Sequence, residues 1–272
     1  MVLIDTLSLE LCWCIWLMGY CTVNGDAAAD DDDDGDNDDP ALPLLLVDFY
    51  IHRSTGRCKL VRFLGWYFYG HATFVSSTPP TPCDWSVRPL LGNATYLLGG
   101  YGIQGLGSPF EIIARIVNAV QADVWLNIPS VSTVALMQKQ EEYVAEVVKL
   151  FDALLPKGRR IYLEYANECM YGNNQCYQDN SALANESVFH QDDPFRLNFG
   201  LASPPNATNL LPLFNPRMYA YTVYHLATVA AKVVGTEKVG RADNPNVRVV
   251  PVLGANAGYA EDGANKLDWL VN

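Results

Sequence analysis

Lysine and arginine are missing from the first forty residues, which hold eleven acidic side chains: Asp5, Glu10 and nine Asp between Asp26 and Asp39. The formal charge of −12 over 272 residues is therefore a local property. Setting that stretch aside leaves 19 acidic against 18 basic residues, a near-neutral remainder. With no basic face, no nucleic-acid partner is expected. Histidine is scarce as well, and His52, His71, His190 and His225 show no metal-ligand spacing. Gly-x-Ser-x-Gly elbows and Walker loops are lacking, so neither a metal nor a cofactor is implied. The apolar run Leu11–Val23 is too short for a membrane helix of about 20 residues, and no membrane span is expected.

That run has the length of a signal-peptide core and is followed by Ala27, Ala28 and Ala29. Asp5 and Glu10 stand where a signal peptide carries positive charge, so residues 1–25 read as a signal or as another kind of leader. Residues 26–40 read as a disordered acidic linker closed by Pro40. Its spaced Asp residues imitate the start of a calcium loop, but the twelfth position is Ala41 where a bidentate Glu is required. Three sequons, at Asn93, Asn185 and Asn206, are compatible with an extracellular or secretory-pathway glycoprotein. Outside the leader lie Cys58, Cys83, Cys169 and Cys176. They could form two disulfides, with Cys169–Cys176 stapling the loop after Glu168, or remain buried thiols.

Half of the chain is apolar, enough for a sizeable core over residues 41–272. Val61–Tyr69 is a strand candidate. Ser108-Pro109-Phe110-Glu111 reads as a helix start, with Ser as N-cap, Pro first in the helix and Glu closing a capping box. Phe110, Ile113, Ile116, Val117 and Val120 then line one helix face. Asp123–Ile128 is a short strand. Residues 133–155 form a second helix with Met137, Val144, Val147, Val148, Phe151 and Leu155 on its apolar face. A strand over 161–167, a loop-rich insertion over 172–213, a helix over 216–235 and a buried strand Val247–Leu253 follow. A weak strand near Thr95–Leu98 and a helix start over Asp262–Val271 complete the pattern. Strands separated by helices of this length make an α/β chain with a parallel sheet.

Two features carry chemistry. Gly100-Tyr101-Gly102-Ile103-Gln104-Gly105 matches the dinucleotide fingerprint, yet the helix after it caps at Ser108, beyond the glycines, and Asp123 begins the next strand instead of ending it. A flexible Gly-rich loop accounts for it better than a cofactor cradle. The stretch Ile161–Glu168 ends in an amide beside a carboxylate, Asn167-Glu168, where a parallel strand gives way to a loop. Chemistry is done at such strand ends, and a Glu there can act as acid or base. Two carboxylates on one face of a buried strand, Glu164 and Glu168, are costly unless paired or used. Glu164, the deeper, reads as the structural partner of an arginine, Arg88 or Arg115.

Ile161–Glu168 resembles the fourth strand of (β/α)8 glycoside hydrolases of the large clan whose acid/base Glu follows an Asn. Upstream, Trp85-x-x-Arg88-Pro89, Gly107-x-Pro109-x-Glu111 and Ala122-Asp123-x-Trp125-x-Asn127-x-Pro129 resemble one poorly characterised branch of such proteins. The resemblance covers about residues 60–270. It implies a TIM-type (β/α)8 barrel, here partial with about five to six strands, and a retaining mechanism on an oligo- or polysaccharide. Glu168 would be the catalytic acid/base and Asn167 would hold a sugar hydroxyl. Trp125 and Trp85 would stack on sugar, with Asn127 and Arg88 as further substrate contacts. Cys169 departs from the residues usual after the Glu. No nucleophile is assigned: Glu261 comes too early, so the barrel is expected to be incomplete at its C-terminus. A non-catalytic carbohydrate-binding or cell-wall protein on a degenerate barrel is the second reading, and a nucleotide-dependent oxidoreductase a distant third.

Overall fold

The computed structural model describes residues 48–51, 58–63, 83–92, 108–167, 169, 172, 174–189 and 211–254. The expected leader, acidic linker, Gly100–Gly105 loop, Thr95–Leu98 strand, Asp262–Val271 helix and Glu168 itself lie outside them. In chain order the elements are β1 (Asp48–Ile51), β2 (Cys58–Arg62), α1 (Phe110–Ala119), β3 (Asp123–Ile128), α2 (Val134–Leu154), β4 (Ile161–Tyr165), α3 (Gln175–Phe189), α4 (Leu211–Val234) and β5 (Val249–Val252). The strands form one sheet in sequential order. β1, which the sequence reading missed, runs antiparallel to β2, and β2 to β5 are parallel.

Alternation along the strands separates two faces. Val124, Leu126 and Ile128 of β3, with Ile161, Leu163 and Tyr165 of β4, are buried in one apolar cluster shared with the helices. Trp125 and Asn127 of β3 point the other way, in register with Tyr162 and Glu164 of β4. β2 adds Arg62 to that second face, in register with Trp125. The helical side is therefore apolar and the opposite side polar.

Local chemistry explains the helix ends. α1 buries Phe110, Ile113, Ala114 and Val117, the i, i+3, i+4, i+7 stripe of an amphipathic helix. It stops in a Schellman turn: Gln121 takes φ +54°, Gln121 N–H donates to Asn118 O, and Ala122 N–H donates to Val117 O. Val120, expected on the apolar face, sits at this cap and is exposed. At the other end the expected capping box does not form. Pro109 occupies the cap position and its carbonyl accepts from Ile112 and Ile113, so Ser108 lies one residue too early.

α2 keeps its expected bounds. Thr133 Oγ1 caps it by accepting from Leu136 N–H, and Glu186 of α3 accepts from Val134 N–H at 3.0 Å. Its expected apolar residues are all buried, together with Gln140 and Tyr143. Gln140 Nε2 donates to Pro129 O, tying the helix to the end of β3. The turn from α2 to β4 is of type II, closed by Arg159 N–H to Pro156 O, with Gly158 at φ +84° where the turn demands a left-handed residue. The expected insertion over 172–213 is in part helical, because α3 fills Gln175–Phe189 and α4 begins at Leu211. β2 begins at Cys58, earlier than the expected Val61, and β4 ends at Tyr165, two residues early.

Arg248, just before β5, bolts the C-terminus of α2 to the sheet. Its Nη2 donates to Phe151, Asp152 and Leu155 carbonyls, its Nη1 to those of Pro156 and Arg159. Phe151 O is also met by Leu155 N–H and Pro156 O by Arg159 N–H, whereas the helix-end carbonyl of Asp152 and that of the cap, Leu155, find their partner in the guanidinium. The ion pair with Asp152 adds less, since that carboxylate is nearly half exposed. Arg248→Met is expected to lower the unfolding free energy by on the order of 3 kcal/mol, read as a fall in the urea midpoint at unchanged m-value. A loss within experimental error would show that water replaces the guanidinium at no cost.

Candidate functional site

The polar side chains of the second face meet at the carboxyl ends of β2, β3 and β4. Glu164 is buried and its Oε2 accepts three bonds: from Arg62 Nη2 at 2.6 Å, Asn127 Nδ2 at 2.8 Å and Trp125 Nε1 at 3.0 Å. Arg62 also donates from Nη2 to Asn167 Oδ1 at 2.8 Å, and its guanidinium lies 4.8 Å from the Trp125 ring centre. Trp125 in turn stacks on Tyr162, its register partner. Side chains of β2 and β3 thus converge on one carboxylate of β4, and Asn167, after the kink, joins the cluster through Arg62. The arginine that the Glu164 charge demands is Arg62 of β2, not Arg88 or Arg115, because β2 is the neighbour of β3 and places Arg62 beside Trp125.

The end of β4 is made by Ala166, whose φ of +51° lies in the left-handed region. An L-residue there costs roughly 1–2 kcal/mol, so the surroundings must hold it. Ala166 N–H donates to Ile128 O at 2.7 Å and its carbonyl accepts from Asn127 Nδ2 at 2.5 Å. The kink ends the alternation that would have put Ala166 on the face of Glu164. Asn167 follows, buried, its carbonyl accepting from the Cys176 thiol at 3.0 Å. Cys169 and Cys176 are both buried free thiols, so the expected staple is not formed, and Cys83 is free as well. The sequon at Asn185 lies inside α3 with Ser187 buried, and those at Asn93 and Asn206 fall outside the described residues.

On the far side of Glu164 stands Tyr219 of α4, packed on Tyr165. The backbone of Gly254, just after β5, donates to Tyr219 Oη at 3.2 Å. A Cβ on residue 254 would lie 2.7 Å from that hydroxyl and 3.0 Å from Glu164 Oε1. Only glycine lets the chain end of β5 pass so close. Burial, reinforced by the Glu164 carboxylate, holds the Tyr219 phenol far above its ordinary range, so it stays neutral.

Of the sequence-predicted site residues, the structure brings together Trp125, Asn127 and Asn167. Trp125 and Asn127 spend polar groups on Glu164. Trp85 and Arg88 are placed elsewhere: Trp85 stacks on Phe110 and meets Tyr143 edge-on, and Arg88 lies 4.2 Å over its ring while pairing with Glu111 at 3.6 Å. Glu111, explained from sequence by capping alone, serves this pair instead. Arg62, Tyr219 and Gly254 were missed. The signal for Arg62 was present, since a lone arginine in the apolar run Leu60-Val61-Arg62-Phe63 needs a buried partner as much as Glu164 does. Among the described residues no three His, Cys, Asp or Glu side chains gather as a metal site would require.

Burial pushes the Glu164 carboxyl above its ordinary value of 4.5, and the Arg62 charge and the hydrogen bonds offset this only in part. The folded state thus holds this proton more tightly than the unfolded chain does. The resulting stability is complete below 4.5 and is lost as pH rises through the folded value. Glu164→Gln stays neutral throughout and isolates the contribution of Glu164 from that of Asp123, whose carboxyl is also raised by burial. The unfolding free energy of the wild type, less that of Glu164→Gln, is expected to fall as pH rises from the acid range to neutrality. A difference that grows with pH would mean that the ion pair outweighs desolvation. No family model, curated protein or solved structure matches the chain.

Proposed function

We propose that this protein is a glycoside hydrolase-like protein that binds or acts on an oligo- or polysaccharide at the carboxyl ends of its parallel strands. The observation that carries the reading is the convergence of Arg62, Trp125, Asn127, Glu164 and Asn167 at those ends, on the face opposite the helices. Ligand sites of parallel α/β folds lie at that end of the strands. The sequential order of β2 to β5 supports consecutive strands of a (β/α)8-type barrel, since a doubly wound sheet would reverse its order at a switch point. Secretion belongs to the same proposal and rests on the sequence alone.

In this reading Asn167, held in place from both sides, contacts a sugar hydroxyl, and Glu168 is the residue that protonates the glycosidic oxygen and later activates water. Retaining chemistry needs a second carboxylate about 5–5.5 Å from the first. Glu164 is assigned a structural role and not that one: its Oε2 already accepts from Arg62, Asn127 and Trp125. Turnover would therefore require a further carboxylate as nucleophile. Without one, the same site serves the non-catalytic reading, which the engagement of Trp125 and Asn127 with Glu164 Oε2 favours.

The test is a screen of the full chain against soluble oligosaccharides and 4-nitrophenyl glycosides. Binding is expected at or below about millimolar concentration. Where hydrolysis is seen, Glu168→Gln is expected to reduce kcat by roughly 10²–10⁴ while leaving the dissociation constant within about threefold. Binding without hydrolysis would select the non-catalytic reading. An absence of both across the panel would remove carbohydrate from the account.

A further inference from the structure

Arg62 uses a single nitrogen, Nη2, for two acceptors, Glu164 Oε2 at 2.6 Å and Asn167 Oδ1 at 2.8 Å. A guanidinium has donors only, so the atom of Asn167 that faces it must be the oxygen. A side-chain amide is otherwise free to flip, its two ends being nearly the same size. Here the flip would set an NH2 group against a buried cation. The amide nitrogen of Asn167 is thereby turned away from Arg62, and among the described residues no acceptor engages it.

The geometry is not what an ion pair made for its own sake would show. Arginine and carboxylate pair best through two parallel N–H···O bonds. Arg62 forgoes that fork: Glu164 meets Nη2 alone, and Arg62 Nε is buried without a hydrogen-bond partner among the described residues. The nitrogen nearest Glu164 is the one that also carries Asn167. Everything else about the guanidinium is fixed, by the Trp125 ring beneath it and by Asn127 and Trp125 holding the carboxylate. The backbone at Asn167 is fixed independently by Cys176 and by the two bonds on Ala166.

We propose that Arg62, held by Glu164, is a positioning residue that makes Asn167 a dedicated hydrogen-bond donor, so that the site takes a hydroxyl or carbonyl oxygen at this point and rejects a protonated amine. The orientation of the amide stands on the apo geometry alone, whereas the ligand class rests on the carbohydrate reading. Applied to sugars, the rule separates neutral glycans, whose hydroxyl oxygens accept, from glycans carrying protonated amino groups, which can only donate, so the two are compared at a pH below the pKa of the sugar amine.

Two measurements test it separately. A neutron structure of the deuterium-exchanged full chain is expected to show both Asn167 side-chain deuterons on the atom facing away from Arg62. Deuterons on the atom facing Arg62 overturn the proposal whatever the protein binds. The second measurement is the ratio of affinities for a neutral oligosaccharide that binds in the screen and for its free-amino counterpart. The wild type is expected to prefer the neutral one by at least about tenfold. In the double variant Arg62→Met/Glu164→Met, which removes both charges together and keeps the volume, that ratio is expected to collapse toward one with circular dichroism unchanged. A folded double variant that keeps the wild-type ratio overturns the positioning role. Should the double variant not fold, Asn167→Leu supplies the same ratio, and a preference that survives it also overturns the proposal. Failure of every sugar to bind refutes the carbohydrate reading and leaves the neutron result to decide the orientation.

Discussion

A buried carboxylate, Glu164, held against a buried guanidinium, Arg62, is the constraint on which the centre of the described sheet depends. Neither charge could stay where it is without the other, because each loses several kcal/mol of hydration on burial. A pair of this kind seldom adds net stability over a well-packed apolar replacement. What it adds is register. Arg62 meets Trp125, and Asn127 meets Glu164, only in the pairing that β2, β3 and β4 adopt. A slip of one residue would turn Glu164 toward Val124, Leu126 and the helices, and would carry Leu163 to the polar side. The penalty for the wrong register is an unpaired charge in a hydrocarbon core, far larger than the loss of a few backbone bonds.

That register in turn permits the kink. Ala166 adopts a left-handed conformation that glycine would adopt without strain, and it is held there by Ile128 and Asn127. Asn127 therefore has two duties, one to Glu164 and one to the backbone after β4. The same amide links the ion pair to the strand end, so a disturbance at either is felt at the other. Gly254 closes the arrangement from β5, where the absence of a side chain lets the backbone reach the Tyr219 hydroxyl beside Glu164.

Much of this was legible in the sequence, and the rest was hidden for identifiable reasons. The bounds of β3, the extent and apolar stripe of α2 and most of the stripe of α1 follow from periodicity, which reports burial directly. The need of Glu164 for an arginine followed from the cost of burying a charge. Which arginine it would be did not, because the choice is made by the two strands that flank β3, whose residues Arg62 and Glu164 lie 102 positions apart in the chain. Ser108 misled because Pro109 can occupy either the first helical position or the cap, and both are compatible with its fixed φ. The left-handed Ala166 had no glycine to announce it, and alternation carried past Tyr165 placed Ala166 on the face of Glu164. The helix Gln175–Phe189 was masked by a composition of Asn, Gln and Asp that reads as loop; its buried residues, Cys176, Asn180, Leu183, Ala184 and Ser187, are mostly small or polar.

The kink also fixes where the sheet stops. The ladder ends at Tyr165 and Ala166 turns into the left-handed region, so Glu164 is the last residue of β4 to point to the polar face. All three donors meet Glu164 at Oε2, and among the described residues no hydrogen bond engages Oε1, the oxygen that faces Gly254. The carboxylate is clamped from one side, so Arg62, Trp125 and Asn127 share a single acceptor and none of them can move without the other two. Glu164 is in this sense the residue that builds the strand ends: it sets the geometry of three side chains from two neighbouring strands through one atom.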